Sequence, residues 1–176
     1  MLETPRLVLR RLRDSDREPL YAMNSDPRVM EYFPACLTRE ENDAMIGRIE
    51  AHHERNGFGP LAAEIRETGE FAGLVILMIP AFEAHFTPCV EIGWRFASAY
   101  WNQGLATESA QALMRFGFYE LGLKEIVSFA VRDNQPSRRV MEKLGMAYDC
   151  EFNHPRIPEG HCLRRHVLYR KAADRV

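Results

Sequence analysis

Residues 90–118 read VEIGWRFASAYWNQGLATESAQALMRFGF, and the change of rhythm inside this stretch decides the fold. Residues 89–97, CVEIGWRFA, have the length and composition of a strand. After Asn102-Gln103-Gly104 the period changes. Ala106, Ala110, Leu113, Gly117 and Leu121 recur three or four residues apart, which is one face of a helix over 104–121, and Gly122 suits its C-terminal cap. EIVSFAV at 125–131 is a strand again. Strand, helix, strand makes a βαβ unit, so 89–97 and 125–131 are expected to run parallel with a right-handed crossover. The mouth of the helix raises a chemical question. The first turn of a helix leaves N–H groups unbonded, and the helix dipole makes that end attractive to anions. Gly104 lacks a Cβ, Ala106 is small, and Asn102 and Gln103 add neutral donors. Two readings are open on this stretch alone: a main-chain cradle for a pyrophosphate, or a packing glycine at a strand-to-helix turn. The Gly-Lys-Ser/Thr of a Walker loop and the GxGxxG of a dinucleotide fold are both absent.

Outward from this unit, residues 6–13 (RLVLRRLR) read as a strand, and Asp14-Ser15-Asp16 offers caps for a short helix carrying Leu20, Tyr21 and Met23. Asp26-Pro27 begins a further turn or helix over 28–32. Thr38 to Glu41 fits a capping box for a helix reaching His53, stopped by Asn56-Gly57. LAAEIRE (61–67) and EFAGLVILMI (70–79) form a hairpin through Thr68-Gly69. A short helix over 136–144 and a final hairpin, 147–152 with 163–170, complete the chain. The expectation is a single α/β (α+β) domain over residues 1–176 with a mixed sheet.

Composition sets limits on function. A net charge of −2 gives no field that would draw nucleic acid or an anionic membrane, so neither is expected as a partner. The start, MLETPRLVLRRLRD, has no apolar core of a signal peptide, and the longest apolar run is broken by Pro80; a cytoplasmic location is expected. Cys36, Cys89, Cys150 and Cys162 form no Cys-x-x-Cys pair and no zinc-like spacing with histidine, which predicts reduced thiols and no metal.

Four blocks, in order, resemble the GNAT superfamily of acetyl-CoA-dependent N-acetyltransferases, in the branch typified by the ribosomal-protein alanine N-acetyltransferases: TPRLVLRRLRDSD (4–16), residues 90–118, DNQPSRRVMEKLGM (133–146) and HVLYRK (166–171). The resemblance implies a mostly antiparallel sheet of about seven strands, splayed at its central parallel pair, with flanking helices. It implies acetyl-CoA as acetyl donor, with the pantetheine arm lying along Trp94, Arg95 and Phe96. The pyrophosphate would sit on Gln103, Gly104, Leu105, Ala106 and Thr107, and Asn134, Ser137 and Arg138 would complete the coenzyme site. The superfamily loop Gln/Arg-x-x-Gly-x-Gly/Ala maps onto residues 101–106 with Trp101 in first place, which is usual in this branch. Asn102-Gln103 replaces the branch's frequent Gly-Lys or Gly-Arg and removes a positive charge. The helix tyrosine that serves many members as acid toward the thiolate is matched by Met141, which cannot donate.

The reaction implied is direct attack of an amine on the thioester. An ammonium must lose a proton, and the developing oxyanion needs a donor, for which a main-chain N–H on strand 89–97 is the candidate. Glu91 is the candidate base, acting directly or through a water; the alternative is a salt bridge to Arg95 or another cation. His154 and His161 in the last hairpin loop are rival bases. Ser137 either donates to the leaving thiolate or caps the helix, and Tyr169 lines the acceptor site or the core. A non-catalytic acyl-CoA-binding module on the same fold is the competing class. A nucleotide hydrolase is disfavoured, since no metal-binding carboxylate pair accompanies the loop. The amine acceptor is unidentified, its walls are expected from residues 25–60 and 153–162, and monomer and homodimer are both open.

Overall fold

The computed structural model describes residues 1–173 of the 176-residue chain. Its strands are β1 (Leu2–Glu3), β2 (Leu7–Arg10), β3 (Leu61–Ile65), β4 (Phe71–Met78), β5 (Glu91–Phe96), β6 (Glu125–Val131), β7 (Ala147–Asn153) and β8 (Arg165–Ala172). The helices are α1 (Arg17–Asn24), α2 (Arg39–Asn56), α3 (Leu105–Tyr119) and α4 (Gln135–Lys143). One sheet runs β1-β2-β3-β4-β5-β6-β8-β7. Every neighbouring pair is antiparallel except β5 and β6, which are parallel. The βαβ unit therefore stands as the rhythm of residues 90–118 required. The sheet has eight strands, not about seven. The addition is β1, whose Leu2 and Glu3 pair with Leu9 and Val8; two residues are too few to show a period. Residues 28–32 form turns and no helix, held by Met30 N–H to Asp26 C=O and Phe33 N–H to Met30 C=O.

The alternation of strand side chains divides the core in two. On one face Ile92 and Phe96 of β5 pack with Leu105, Leu113 and Met114 of α3 and with Met141 of α4. On the other, Leu74 of β4 packs with Leu20 and Met23 of α1 and Ile46 and Ile49 of α2. Each fully buried Leu or Ile contributes roughly 1.5–3 kcal/mol. α2 starts on the expected capping box: Thr38 Oγ1 accepts from the Glu41 N–H, and the Glu41 carboxylate accepts from the Thr38 N–H at 2.8 Å.

A buried ion pair fixes the entry to α1. Arg10 donates to both oxygens of Asp16, at 2.6 and 2.8 Å, and to Glu64 on β3 at 2.6 Å. Asp16 also accepts from the Arg13 N–H at 2.7 Å. Both charges are fully bonded in place, so removing one leaves the other buried and bare. Asp16→Ala is expected to cost about 3–5 kcal/mol in denaturant unfolding at pH 7. A loss below ~1 kcal/mol would show the network contributes only what a surface pair does.

Candidate functional site

Hydrogen bonding between β5 and β6 stops almost as it starts. One register pair joins them, Glu91 with Val127, and Val127 N–H donates to Val90 C=O at 2.9 Å. Beyond it, β5 is held by β4 through the Phe96–Gly73 pair, and β6 is held by β8 through Val131–His166. The strands are thus splayed. Main-chain groups alternate in direction along a strand. Val90 C=O points to β6 and Ala97 N–H points to Ala72 on β4, so the N–H and C=O of Trp94 face the gap. The side chains sort the same way: Glu91, Gly93 and Arg95 lie on the α1/α2 face, and Ile92, Trp94 and Phe96 on the α3 face.

The mouth of α3 lies at the end of β5. A turn at residues 101–104 carries two positive φ angles, 59° at Asn102 and 79° at Gly104. The first intrahelical bond is Glu108 N–H to Gly104 C=O, and no side chain caps the helix. The N–H groups of Leu105, Ala106 and Thr107 are therefore left for a ligand or solvent. This contrasts with α2, which is fully boxed, and with α4, where Asn134 Oδ1 accepts from the Ser137 N–H at 3.1 Å. The two readings of the glycine can now be separated. A Cβ on Gly117 would meet Ile126 Cδ1 at 2.9 Å, so that residue is a packing glycine; a Cβ on Gly104 would meet only the end of Arg6, at 3.5 Å. Gly104 is required by its left-handed φ and bears open space.

The side chains of the turn mostly hold the turn itself. Gln103 Nε2 donates to Ala99 C=O at 3.0 Å, Trp101 Nε1 donates to Phe96 C=O at 2.7 Å, and Leu105 is buried in the main core. Only their main chain is available to an anion. The sequence reading missed Arg6. Its guanidinium donates to Gln103 C=O at 2.8 Å and pairs with Glu108 at 2.7 Å, and Glu108 also accepts from Thr4 Oγ1 at 2.6 Å. This places a cation beside the turn that lacks Lys or Arg at 102–103. No spacing signal links residues nearly a hundred positions apart.

On the far side of the gap stands α4. Asn134 uses its oxygen to cap the helix, while Ser137 Oγ has no hydrogen-bond partner among the described residues. Ser137 is thus not the cap. Met141 is 1% exposed and belongs to the core. Arg138 turns back to donate to Arg132 C=O at 3.1 Å, and Arg139 and Lys143 are exposed. Tyr169 is core, 3% exposed, with its hydroxyl 3.4 Å from Glu142.

Glu91 makes no hydrogen bond and no ion pair among the described residues, and burial pushes its carboxyl up to about 8. The alternative salt bridge to Arg95 is absent: Arg95 Nη1 donates to Asn24 Oδ1 at 2.7 Å and its guanidinium stacks on Phe33. His154 is held down to about 4, first by burial and then by the His166 and Arg156 charges, so it is a poor acceptor of an ammonium proton. Its ring lies 4.7 Å from Phe82 and 6.0 Å from Phe129. His161 is exposed on the hairpin loop. Phe82 and Phe86, from the loop between β4 and β5, join Val127, Phe129 and Phe152 in one cluster. A third segment thus walls the Glu91 face beyond the two anticipated. All four cysteines are free thiols. Among the described residues no cluster of His, Cys, Asp or Glu could hold a metal ion, and no helix is long and apolar enough to cross a membrane.

A sheet parted after one parallel pair, beside an uncapped helix mouth, is suited to a long, flexible ligand that ends in phosphates. The sequence pattern described as the acetyltransferase (GNAT) domain matches residues 6–147, and the chain belongs to that family: it is an acetyl-CoA-dependent N-acetyltransferase. An uncharacterized N-acetyltransferase, YnaD of Bacillus subtilis, is 31% identical over 161 residues, covering 91% of this chain and 89% of the relative. A transacetylase of Aspergillus fumigatus is 31% identical over 154 residues, covering 84% and 65% respectively. The crystal structure of a GNAT acetyltransferase from Bacillus anthracis superposes with a TM-score of 0.80 at 27% identity, covering 97% of each chain.

The cradle has a direct test. Gly104→Val would force a branched residue into a left-handed φ, at a cost of order 1–3 kcal/mol, and put carbon in the open space that a phosphate would use. Initial-rate kinetics are expected to show at least a ten-fold rise in KM for acetyl-CoA. An unchanged KM in a folded variant would refute the cradle.

Proposed function

We propose that the enzyme carries acetyl from acetyl-CoA to a primary amine, on a small molecule or a protein N-terminus, by direct attack with no acetyl-enzyme. The observation that carries this reading is Glu91: a half-buried carboxyl with no hydrogen-bond or ion-pair partner among the described residues, at the residue where the sheet parts, on the face opposite α3. The pantetheine arm bonds to the main chain of Trp94 in the gap, next to Arg95 and Phe96, and the pyrophosphate rests on the N–H groups of residues 105–107 with Arg6 alongside. Asn134 Nδ2, left free by the cap, bonds to the arm. That brings the thioester to the closed end of the gap, level with Glu91.

The roles follow from the chemistry. Glu91 takes the ammonium proton. A carboxyl raised to about 8 is balanced against a chain-terminal α-ammonium, whose ordinary value is ~7.7–8.0, and falls short of a lysine at ~10.4 by more than two units; the more basic the amine, the further the transfer is uphill. A main-chain N–H in the gap stabilises the oxyanion, and the unpartnered Ser137 hydroxyl donates to the leaving sulfur in the place of the missing tyrosine. The fungal relative is named as an acetyl-CoA N(2)-transacetylase, chemistry of the same kind.

Since Glu91 is protonated at low pH, kcat/KM for the acceptor should climb with pH to a plateau governed by an enzyme group near 8. With two amines of different basicity, that limb should stay in place for both and vanish in Glu91→Gln, with a loss of 10²-fold or more at the plateau. A limb that survives in the variant would remove Glu91 as the base. Stability carries the opposite sign. A raised carboxyl stabilises the fold below its unfolded value of ~4.3 and loses that contribution as pH rises through 8. Glu91→Gln should therefore melt at a higher temperature than the parent at pH 8.5 and at the same temperature near pH 4; equal melting at both would show that the carboxyl is not buried in solution.

A further inference from the structure

Arg95 is the second ionisable side chain on the Glu91 face with no opposite charge paired to it among the described residues. It sits four residues along β5 from Glu91, so their Cα atoms are about 13 Å apart at the usual rise, and the two side chains do not meet. Its fixed partners are neutral: Asn24 Oδ1 at 2.7 Å and the face of Phe33 at 4.0 Å. Asn24 in turn donates to Asn42 Oδ1 at 2.9 Å, so nothing acidic stands behind it. The carboxylate nearest in sequence to Asn24, Asp26, is committed elsewhere, to Arg28 at 2.7 Å and to the Ser98 hydroxyl at 3.1 Å. Arg95 Nε, like Arg138 Nε and Arg164 Nε, is out of contact with solvent and has no hydrogen-bond partner among the described residues; of the three, Arg95 is the one on the Glu91 face of β5.

A buried charge left unpaired costs several kcal/mol, and native structures bond their buried donors almost without exception. Burial lowers Arg95 to about 10, with no carboxylate acting to raise it, so the guanidinium is still a cation at neutral pH. Contact with the C-terminal end of α1 offsets a part of the cost, and the ring of Phe33 another part, but neither bonds Nε. Within the same molecule Arg10, which is buried, has two carboxylates on it, whereas the half-buried Arg95 has none among the described residues.

Resting on the acetyl-transfer reading above, we infer that the acceptor is an amine that carries its own anionic group, a carboxylate or a phosphate, which Arg95 receives while the amine lies at Glu91. Phe33 and Asn24 hold the guanidinium plane, leaving its remaining N–H groups to the anion; a planar fork of donors is the usual receptor for both anions. Neutral amines and lysine side chains in unselected sequence would leave Arg95 bare.

The test pairs each anionic amine with its neutral counterpart: glycine, L-leucine and L-phenylalanine against their amides, and O-phosphoethanolamine against ethanolamine. Turnover is measured with acetyl-CoA, and binding is measured by calorimetry on the coenzyme A-loaded protein. The amides are the weaker bases, so more of their amine is free, and intrinsic reactivity favours them. The expected result is at least ten-fold higher kcat/KM, and tighter binding, for the anionic member of one or more pairs. The carboxylate and phosphate arms tell which anion is taken. Arg95→Gln should abolish that preference, and Arg95→Lys should restore a part of it. Neutral members that bind and react as well as the anionic ones would overturn the inference, although acetyl transfer would stand. So would an Arg95→Gln variant that loses both members of each pair alike, the mark of a structural arginine, or one whose only defect is in KM for acetyl-CoA. Anion-dependent binding without turnover of any amine would retain the inference and reject Glu91-assisted transfer.

Discussion

A single rung between two parallel strands governs this molecule. Buried main-chain groups are expensive to leave unbonded, and sheets normally avoid the expense by pairing along their whole length. Here β5 and β6 pair once, at Glu91 and Val127, and then part. Each strand is secured from its outer side, β5 by β4 and β6 by β8, so the gap is held open by the rest of the sheet. A ligand in the gap would supply the missing strand-like bonds, and the pantetheine arm of acetyl-CoA has amides to do so.

The crossover shapes the helix mouth proposed for the other end of the ligand. The chain leaving β5 turns through a left-handed Gly104 and enters α3 with no capping side chain, although the same protein caps α2 with a full box and α4 with Asn134. The charges follow the same division. Those that serve the fold are saturated, as at Arg10, Asp16 and Glu64. Glu91 and Arg95 are half-buried, have no opposite charge paired with them among the described residues, and both lie on the face turned away from α3. An enzyme that binds a charged acceptor has use for charges left open in this way.

Much of this frame was legible in the sequence, because it rests on periodicity. The switch from strand to helix across residues 97–105 and the Thr38–Glu41 box need only local chemistry. The splay was legible only by resemblance, since a strand that parts from its neighbour keeps the same alternation. β1 escaped because two residues have no period. The alternative of a Glu91–Arg95 salt bridge failed on strand geometry: residues four apart share a face but stand too far apart to pair readily. Arg6 at the cradle, and Phe82 with Phe129 and His154 along the wall, were out of reach. Such contacts join distant segments, and no pattern within a segment encodes them.

Amide hydrogen exchange with and without coenzyme A tests the central claim most directly. If the gap and the helix mouth hold the coenzyme, the N–H groups of Trp94 and residues 105–107 should slow on binding, while those in the β2–β3 pairing stay as they were. Binding of coenzyme A that leaves these four amides exchanging at their free rates would contradict the account.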